Sequence, residues 1–474
     1  MSVVGGSEKA KAVALILLCC ASFVAVLDVT IVTIALPSVR RELGFAGGEV
    51  QWVLTGYALS FGGLLLLMGR AGDLYGRRRL FVVGLAAFAA ASLWGGLAWA
   101  PWVLVAARLL QGVGGAALVP ASLALLAATF AEGEERNRAM GVYGAMAGVG
   151  FVLGMVLGGV IAEFLGWRWV LFVNVPVALA VLSLAPVVIR ESKDDRAPRT
   201  LDLAGAATAT LGLAAMIYAV SEAPHNGWVS PTTISTAGIG AVLLGVFVAV
   251  ERRASEPLVP LPMFGRRGVA VTNAAVVLKS MVGAVQLYVL TLYFQDALGY
   301  TPLQAGLLFV PMTAASVIAS PLAGRLTSRL GEKWTAAWGF AISAAGLMLV
   351  ASLLSSEGGL VAVLSGMAVA EAGFMTANVP LTIAATGGVG EDERGLASGI
   401  LSTSTEFGNA LGWAAVAAVI AAVADSGSGG SDALLSGLRW GLWSAVACAG
   451  LALVLVILFM HPGVAGGKGR LRAP

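Results

Sequence analysis

The chain has 474 residues, 58% hydrophobic and 12% charged, with a mean hydropathy of +0.89 and a formal net charge of +3. A water-soluble domain of that composition would have too little polar surface to face solvent, which excludes soluble enzymes and soluble binding modules. The small positive charge reflects basic residues in short loops between apolar segments and is no sign of a nucleic-acid partner.

In chain order, apolar segments of membrane-spanning length fall at 12–36, 50–68, 80–99, 102–130, 138–164, 169–189, 202–221, 232–251, 268–294, 302–324, 334–354, 359–386, 395–423 and 438–461. Lipid offers the backbone no hydrogen-bond partners, so each segment reads as a helix, and the fold class is an all-α integral membrane protein with fourteen spans. The first span is too long for a secretory signal core and lacks a small-residue cleavage site, so it is expected to remain as an anchor. Cys19, Cys20 and Cys448 lie inside spans, where a small apolar residue is the expected role rather than a disulfide or a metal ligand. With the N-terminus cytoplasmic, nearly all Lys and Arg fall on the inner face, and the outer face receives Arg40, Arg41, Arg168 and Arg439. The positive-inside bias therefore puts both termini in the cytoplasm.

The longest polar connections, 191–199 and 251–267, bracket two spans that carry few polar residues. The chain thus divides into a six-helix bundle at 1–190, a linker with two additional helices at 191–267, and a second six-helix bundle at 268–474. A weak repeat supports the division: Gly69-Arg-Ala-Gly-Asp73-Leu-Tyr-Gly76-Arg77 follows the second span, and Gly324-Arg-Leu-Thr-Ser328-Arg-Leu-Gly331-Glu-Lys333 follows the second span of the later half. Matching loops in halves of the same topology imply a pseudo-two-fold axis along the membrane normal.

Charges inside the spans mark the functional candidates. Asp28 and Arg108 each sit roughly 10 Å from the outer end of their span at 1.5 Å per residue. A charge at that depth needs a partner or a water-lined cavity, so the two are expected to interact, either as a working pair or as a static ion pair. Lys279, Glu371 and Glu406 fall near the midplane, some 16–18 Å from an interface. They are expected to converge on one polar cavity, with Lys279 paired to Glu406 or Glu371 until cargo or a proton breaks the pair; the alternative is helix registration by polar contacts. Trp52, Tyr57, Tyr143, Phe151, Tyr288 and Phe374, with Gln111 and Asn378, are candidate walls of a cavity for hydrophobic cargo. Trp52 also suits an interface anchor. Gly150, Gly154, Gly158 and Gly159 repeat at small-xxx-small spacing, which predicts close approach of another helix, expected from the other half.

Leu27-Asp28-Val-Thr30-Ile-Val-Thr-Ile-Ala-Leu-Pro37, the 69–79 loop, Arg108-Leu-Leu-Gln111-Gly112-Val-Gly114-Gly115, Gly150-Phe-Val-Leu-Gly154-Met-Val-Leu-Gly158-Gly159 and Trp167-Arg168-Trp169-Val-Leu-Phe-Val-Asn174-Val-Pro176 occur in this order across the chain. With them the sequence resembles the major facilitator superfamily, specifically its fourteen-helix drug:proton antiporter branch. The resemblance implies two six-helix bundles, with Asp28 as the leading proton carrier and Arg108 as its modulator; Glu371 and Glu406, read from their depth alone, are further proton-coupling candidates particular to this chain. The resemblance also implies that Gly69, Asp73, Gly76 and Arg77 form a latch between the halves, and that the span-five glycines belong to an exporter. Three positions depart from the family pattern: Met155 stands where Pro usually follows the glycine, Thr33 where Asn is usual, and Thr405-Glu406 where Arg-Gln is frequent.

Gly467-Lys468 is followed by Gly469 rather than Ser or Thr, so no phosphate-binding loop supports ATP as the energy source. Two histidines, His225 and His461, build no catalytic or metal cluster, and Asp194-Asp195 has no second acidic pair for a lipid-modifying enzyme. The expected function is alternating-access export of a hydrophobic or amphipathic drug-like compound in exchange for protons. The expected protein is monomeric, without a metal or cofactor, in a bacterial cytoplasmic membrane. Proton-coupled uptake of an organic acid, served by Lys279, is the rival within transport.

Overall fold

The computed structural model describes residues 8–46, 49–131, 133–193, 201–254, 257–259, 261–265, 268–355, 359–387, 394–426 and 431–460. Asp194, Asp195, His461, Gly467 and Lys468 lie outside them. The helices are α1 (Glu8–Leu43), α2 (Trp52–Tyr75), α3 (Arg77–Gly96), α4 (Pro101–Thr129), α5 (Glu134–Phe164), α6 (Arg168–Phe172), α7 (Asn174–Val188), α8 (Leu203–Asn226), α9 (Pro231–Arg253), α10 (Pro262–Gly265), α11 (Val269–Leu292), α12 (Pro302–Leu308), α13 (Val310–Leu353), α14 (Leu360–Gly387), α15 (Arg394–Ser426) and α16 (Ser431–Phe459). A 3-10 turn, Glu49–Gln51, precedes α2, and a π-turn, Tyr293–Ala297, extends α11.

Among the described residues, 13 helical runs are long and apolar enough to cross a bilayer. One of them, Pro302–Leu353, is 52 residues long. At 1.5 Å per residue it would reach about 78 Å, far beyond a bilayer's roughly 30 Å hydrocarbon core. It is broken at Gly331, whose φ of 80° and ψ of 167° are non-helical. Gly76, its counterpart in the repeated loop, has φ 115° and ψ 127° and likewise turns α2 into α3. The two loops therefore share a backbone device that only glycine adopts without strain.

The chain forms two compact units. The first comprises Met1–Leu258 with Thr291–Leu307 and Trp413–Ala421. Its core gathers Leu18, Phe81, Leu118, Leu125, Ala178 and their neighbours, with a second cluster around Val24, Phe61 and Phe88. Glycines permit the close crossings that hold it together. A Cβ on Gly114 would lie 2.6 Å from the backbone nitrogen of Phe88, bringing α4 against α3. On α5, Gly150 faces the Phe23 carbonyl, Gly154 faces Thr30 and Gly158 faces Ile31, all on α1. The glycine stripe thus docks α1 of its own half rather than a helix of the other half. Gly159 alone of the four meets the later half, at Pro302 and Leu303. The reason is rotational: Gly150, Gly154 and Gly158 share one helix face, and Gly159 is turned off it by one residue. Glu163 at the end of α5 then accepts the Leu303 N–H at 3.0 Å.

Asp202 caps α8 by accepting the Gly205 N–H at 2.7 Å, and Ser230 caps α9 by accepting that of Thr233 at 3.2 Å. These two helices pack on each other, and α8 packs on α2. Only 11% of the most apolar window of α9 is buried, the exposure of a helix whose outer face meets lipid.

The second unit comprises Val259–Leu290, Leu308–Gly412 and Ala422–Pro474. Its core joins Ala275, Phe340, Ala377, Leu381 and Val456. Gly339, Gly346 and Gly373 seat α13 against α14, and Gly408 and Gly412 seat α15 against α11. The packing is that of small residues admitting helix backbones to one another, as bilayer helices require.

Candidate functional site

Among the described residues, each unit holds a buried cluster built around charged residues expected from the sequence. In the first, α1 carries Asp28 and α4 carries Arg108 and Gln111, three residues apart on one helix face. Both charged residues are 0% exposed. Arg108 Nη1 donates to Asp28 Oδ2 and, at 2.6 Å, to Gln111 Oε1, while its Nε donates to the Val53 carbonyl at 2.8 Å. Gln111 Nε2 and Asn174 Nδ2 each donate to Asp28 Oδ1 at 2.7 Å, and both also reach Ser92 Oγ, at 2.8 and 3.2 Å. The guanidinium lies 4.5 Å from the Tyr57 ring centroid. Residues from α1, α2, α3, α4 and α7 thus enclose one ion pair and satisfy its carboxylate with three donors. The result is neutral overall, which lets it survive at depth in lipid. Arg108 Nη2 and Asn174 Oδ1 have no hydrogen-bond partner among the described residues.

In the second unit, Lys279 on α11 donates from Nζ to Asn378 Oδ1 at 2.7 Å and lies 4.9 Å from the Phe374 ring centroid. Asn378 and Phe374 are on α14, as is Glu371, so the three occupy one face at spacings of three and four. Glu406 is carried on α15, whose Gly408, two residues on, packs against Val277 and Ser280 of α11. No ion pair within 4.0 Å joins Lys279 to either acid among the described residues. In place of the expected direct pair, Lys279 meets an amide and an aromatic face. Asn273, six residues before Lys279 on α11, accepts from Ser404 at 3.0 Å and ties α11 to α15.

The remaining expected cavity residues scatter. Gln111 and Tyr57 belong to the Asp28 cluster, and Phe374 and Asn378 belong to the Lys279 cluster. Trp52 lies 6.1 Å from Tyr218, beside a hollow bounded by Glu49, Gln51, Ser221 and Glu222. Tyr143 is within the α1–α3–α4–α5–α7 core and pairs with Ser122 at 2.7 Å. Tyr288 is buried on α11 and Phe151 is half-buried on α5.

At the loop of Gly69 to Arg79, Asp73 pairs with Arg77 at 2.9 Å. The start of α3 is capped by Glu191, whose carboxylate accepts the Arg78 and Arg79 N–H groups at 2.9 and 3.2 Å. Sequence reasoning left Glu191 in a linker and passed over Ser92. Asn174 stood within the Trp167–Pro176 motif with no role attached to it.

These features coincide with a family. A model of the Major Facilitator Superfamily matches residues 18–252 and 272–473, and the chain belongs to that superfamily, whose members are transporters rather than enzymes. Its relatives are of the drug-efflux branch. The chain is 40% identical over 426 residues to the cephamycin export protein CmcT of Amycolatopsis lactamdurans, covering 89% of this chain and 87% of that one. It is 38% identical over 454 residues to the puromycin resistance protein pur8 of Streptomyces alboniger, covering 94% and 90%. Among solved structures it is similar to an inward-facing bacterial homologue of the lysosomal transporter Spinster, with a TM-score of 0.66 at 17% identity over 96% of this chain and 97% of that one. That likeness supports the fold.

Proposed function

We propose that this protein exports a hydrophobic or amphipathic antibiotic-like compound across a bacterial cytoplasmic membrane in exchange for protons. The carrying observation is the Asp28 cluster: an ionisable pair, 0% exposed, gathered from several helices at depth in the bilayer. A carboxylate sealed from water exchanges its proton only when the surrounding helices move. Its protonation state is thereby coupled to the side on which a cavity opens, the requirement for alternating access. The efflux relatives support outward transport of a small molecule.

In this reading the protein works as a monomer with the proton gradient as its energy source and no metal or cofactor. Fourteen spans follow when Pro302–Leu353 is divided at Gly331, and the basic inner loops put both termini in the cytoplasm. Residues 1–190 and 268–474 form the two bundles, and 191–267 inserts α8 and α9. Glu371 and Glu406 are further proton sites. The Gly69, Asp73, Gly76 and Arg77 loop acts as an inner latch, with its α2–α3 corner fixed by Glu191.

Cells expressing the protein should retain less ethidium than control cells, and a protonophore should abolish the difference. Protonophore-sensitive accumulation of an organic acid instead would favour the uptake reading.

A further inference from the structure

Where α2 begins and α8 finishes, the first unit holds a hollow bounded by Glu49, Gln51, Trp52, Ser221 and Glu222 and closed by alanines of α15. It has room for a single water-sized group. Gln51 is 3% exposed; its Nε2 donates to Ser221 Oγ at 2.9 Å, and its Oε1 has no hydrogen-bond partner among the described residues. With Nε2 spent on Ser221, Oε1 is the polar atom Gln51 offers to the hollow it lines. A buried acceptor of this kind is costly unless a donor from outside completes it. Glu49 accepts the Ala46 N–H at 3.3 Å, and neither Glu49 nor Glu222 has an ion-pair partner within 4.0 Å among the described residues. The bases expected at this end are committed elsewhere: Arg40 and Arg41 to Asp296, Arg168 to Glu42, and Arg439 to the Leu354 carbonyl at 3.0 Å. Among the described residues, two acids and a spare amide oxygen thus gather with no base to answer them.

We propose that this hollow binds the head of a primary organic ammonium whose apolar body lies along Trp52 and Tyr218. An ammonium head is close to water in size and carries three N–H donors, which Gln51 Oε1 and the two carboxylates accept. The Trp52 and Tyr218 rings, 6.1 Å apart, supply an aromatic surface beside the head. Only the head fits inside, so the apolar body stays along the helix ends. The ligand is a free amine or the ethanolamine headgroup of a lipid, which share this chemistry. The site is separate from the Asp28 and Lys279 clusters, exchanges no proton, and does not rest on the export reading.

The test is fluorescence anisotropy of monodansylcadaverine, a dansyl fluorophore with a primary ammonium tail, on detergent-solubilised full-length protein against protein-free micelles. Wild type should bind it saturably, and should bind the analogue with a trimethylammonium tail, which has no N–H to donate, about tenfold or more weakly. Glu49→Gln with Glu222→Gln should weaken the primary amine by about tenfold or more; no ion pair is lost, so the fold should survive. Gln51→Leu should bring the primary and quaternary affinities together while leaving the quaternary one in place, which a merely misfolded hollow does not predict. Competition by dihexanoyl phosphatidylethanolamine, but not by the phosphatidylcholine, assigns the site to a lipid headgroup; no competition by either assigns it to a free amine. No saturable binding, equal affinity for the two tails in wild type, or unchanged affinity in the folded double variant overturns the proposal. Displacement of the probe by sodium chloride but not by choline chloride would show a metal-cation site and overturn it as well. None of these outcomes touches the export reading, which stands or falls on protonophore-sensitive efflux.

Discussion

Glu191 occupies the space that a side chain at position 76 would need: a Cβ on Gly76 would lie 2.7 Å from the Glu191 carboxyl carbon. The same carboxylate accepts two N–H groups at the start of α3, where the helix dipole favours a negative charge. Gly76 is thus required twice, by its φ of 115° and by its neighbour.

Removing the cap and crowding it should be separable. Glu191→Ala should cost about 1 kcal/mol, the usual loss of a helix cap. Gly76→Ala should cost about 1–3 kcal/mol through backbone strain, with the collision added. Thermal unfolding in detergent checks both, and Gly76→Ala in the Glu191→Ala background should be milder than alone because the obstructing carboxylate is gone.

The α5 glycines fall into two groups by what faces them. Gly154→Ala should sharply reduce the yield of folded protein, since its Cβ would enter the space of Thr30. Thr30→Ala should partly restore it. A Cβ added at Gly141, Gly144 or Gly148 would have nothing within 4 Å, so alanine there should be tolerated or should stabilise by up to about 1 kcal/mol through helix propensity. Folded yield by gel filtration distinguishes the groups.

The Asp28–Arg108 pair should be asymmetric under truncation. Arg108→Ala strands a carboxylate in a dry interior and should destabilise by about 3–5 kcal/mol. Asp28→Asn with Arg108→Gln removes both charges and should unfold at a higher temperature than Arg108→Ala. An equal loss in the two variants would show that packing, rather than the stranded charge, dominates.

Much of this architecture was legible because a bilayer constrains sequence so strictly. Span length, loop charge and the paired glycines at 76 and 331 could be read directly. Asp28, Arg108, Lys279, Glu371 and Glu406 were conspicuous because charge is rare at such depth. Which neutral residues would attend them was not legible. Helix rotation and register decide that Gln111 and Asn174, rather than a second charge, complete the Asp28 cluster. They also decide that Asn378 and Phe374 are the residues that meet Lys279. The same ambiguity hid the partner of the α5 stripe, because small residues announce a close crossing without naming the helix that makes it. Glu191 was obscure because a carboxylate after a span reads as an ordinary loop charge until its distant amide partners are known.

The central claim is that a proton carried by Asp28 drives the cycle. Its most direct test is ethidium accumulation by proteoliposomes under an imposed pH gradient, comparing wild type with Asp28→Asn at matched protein content. The account predicts gradient-driven accumulation by wild type and a fall to the level of protein-free vesicles in the variant. Accumulation by Asp28→Asn at the wild-type rate would contradict it.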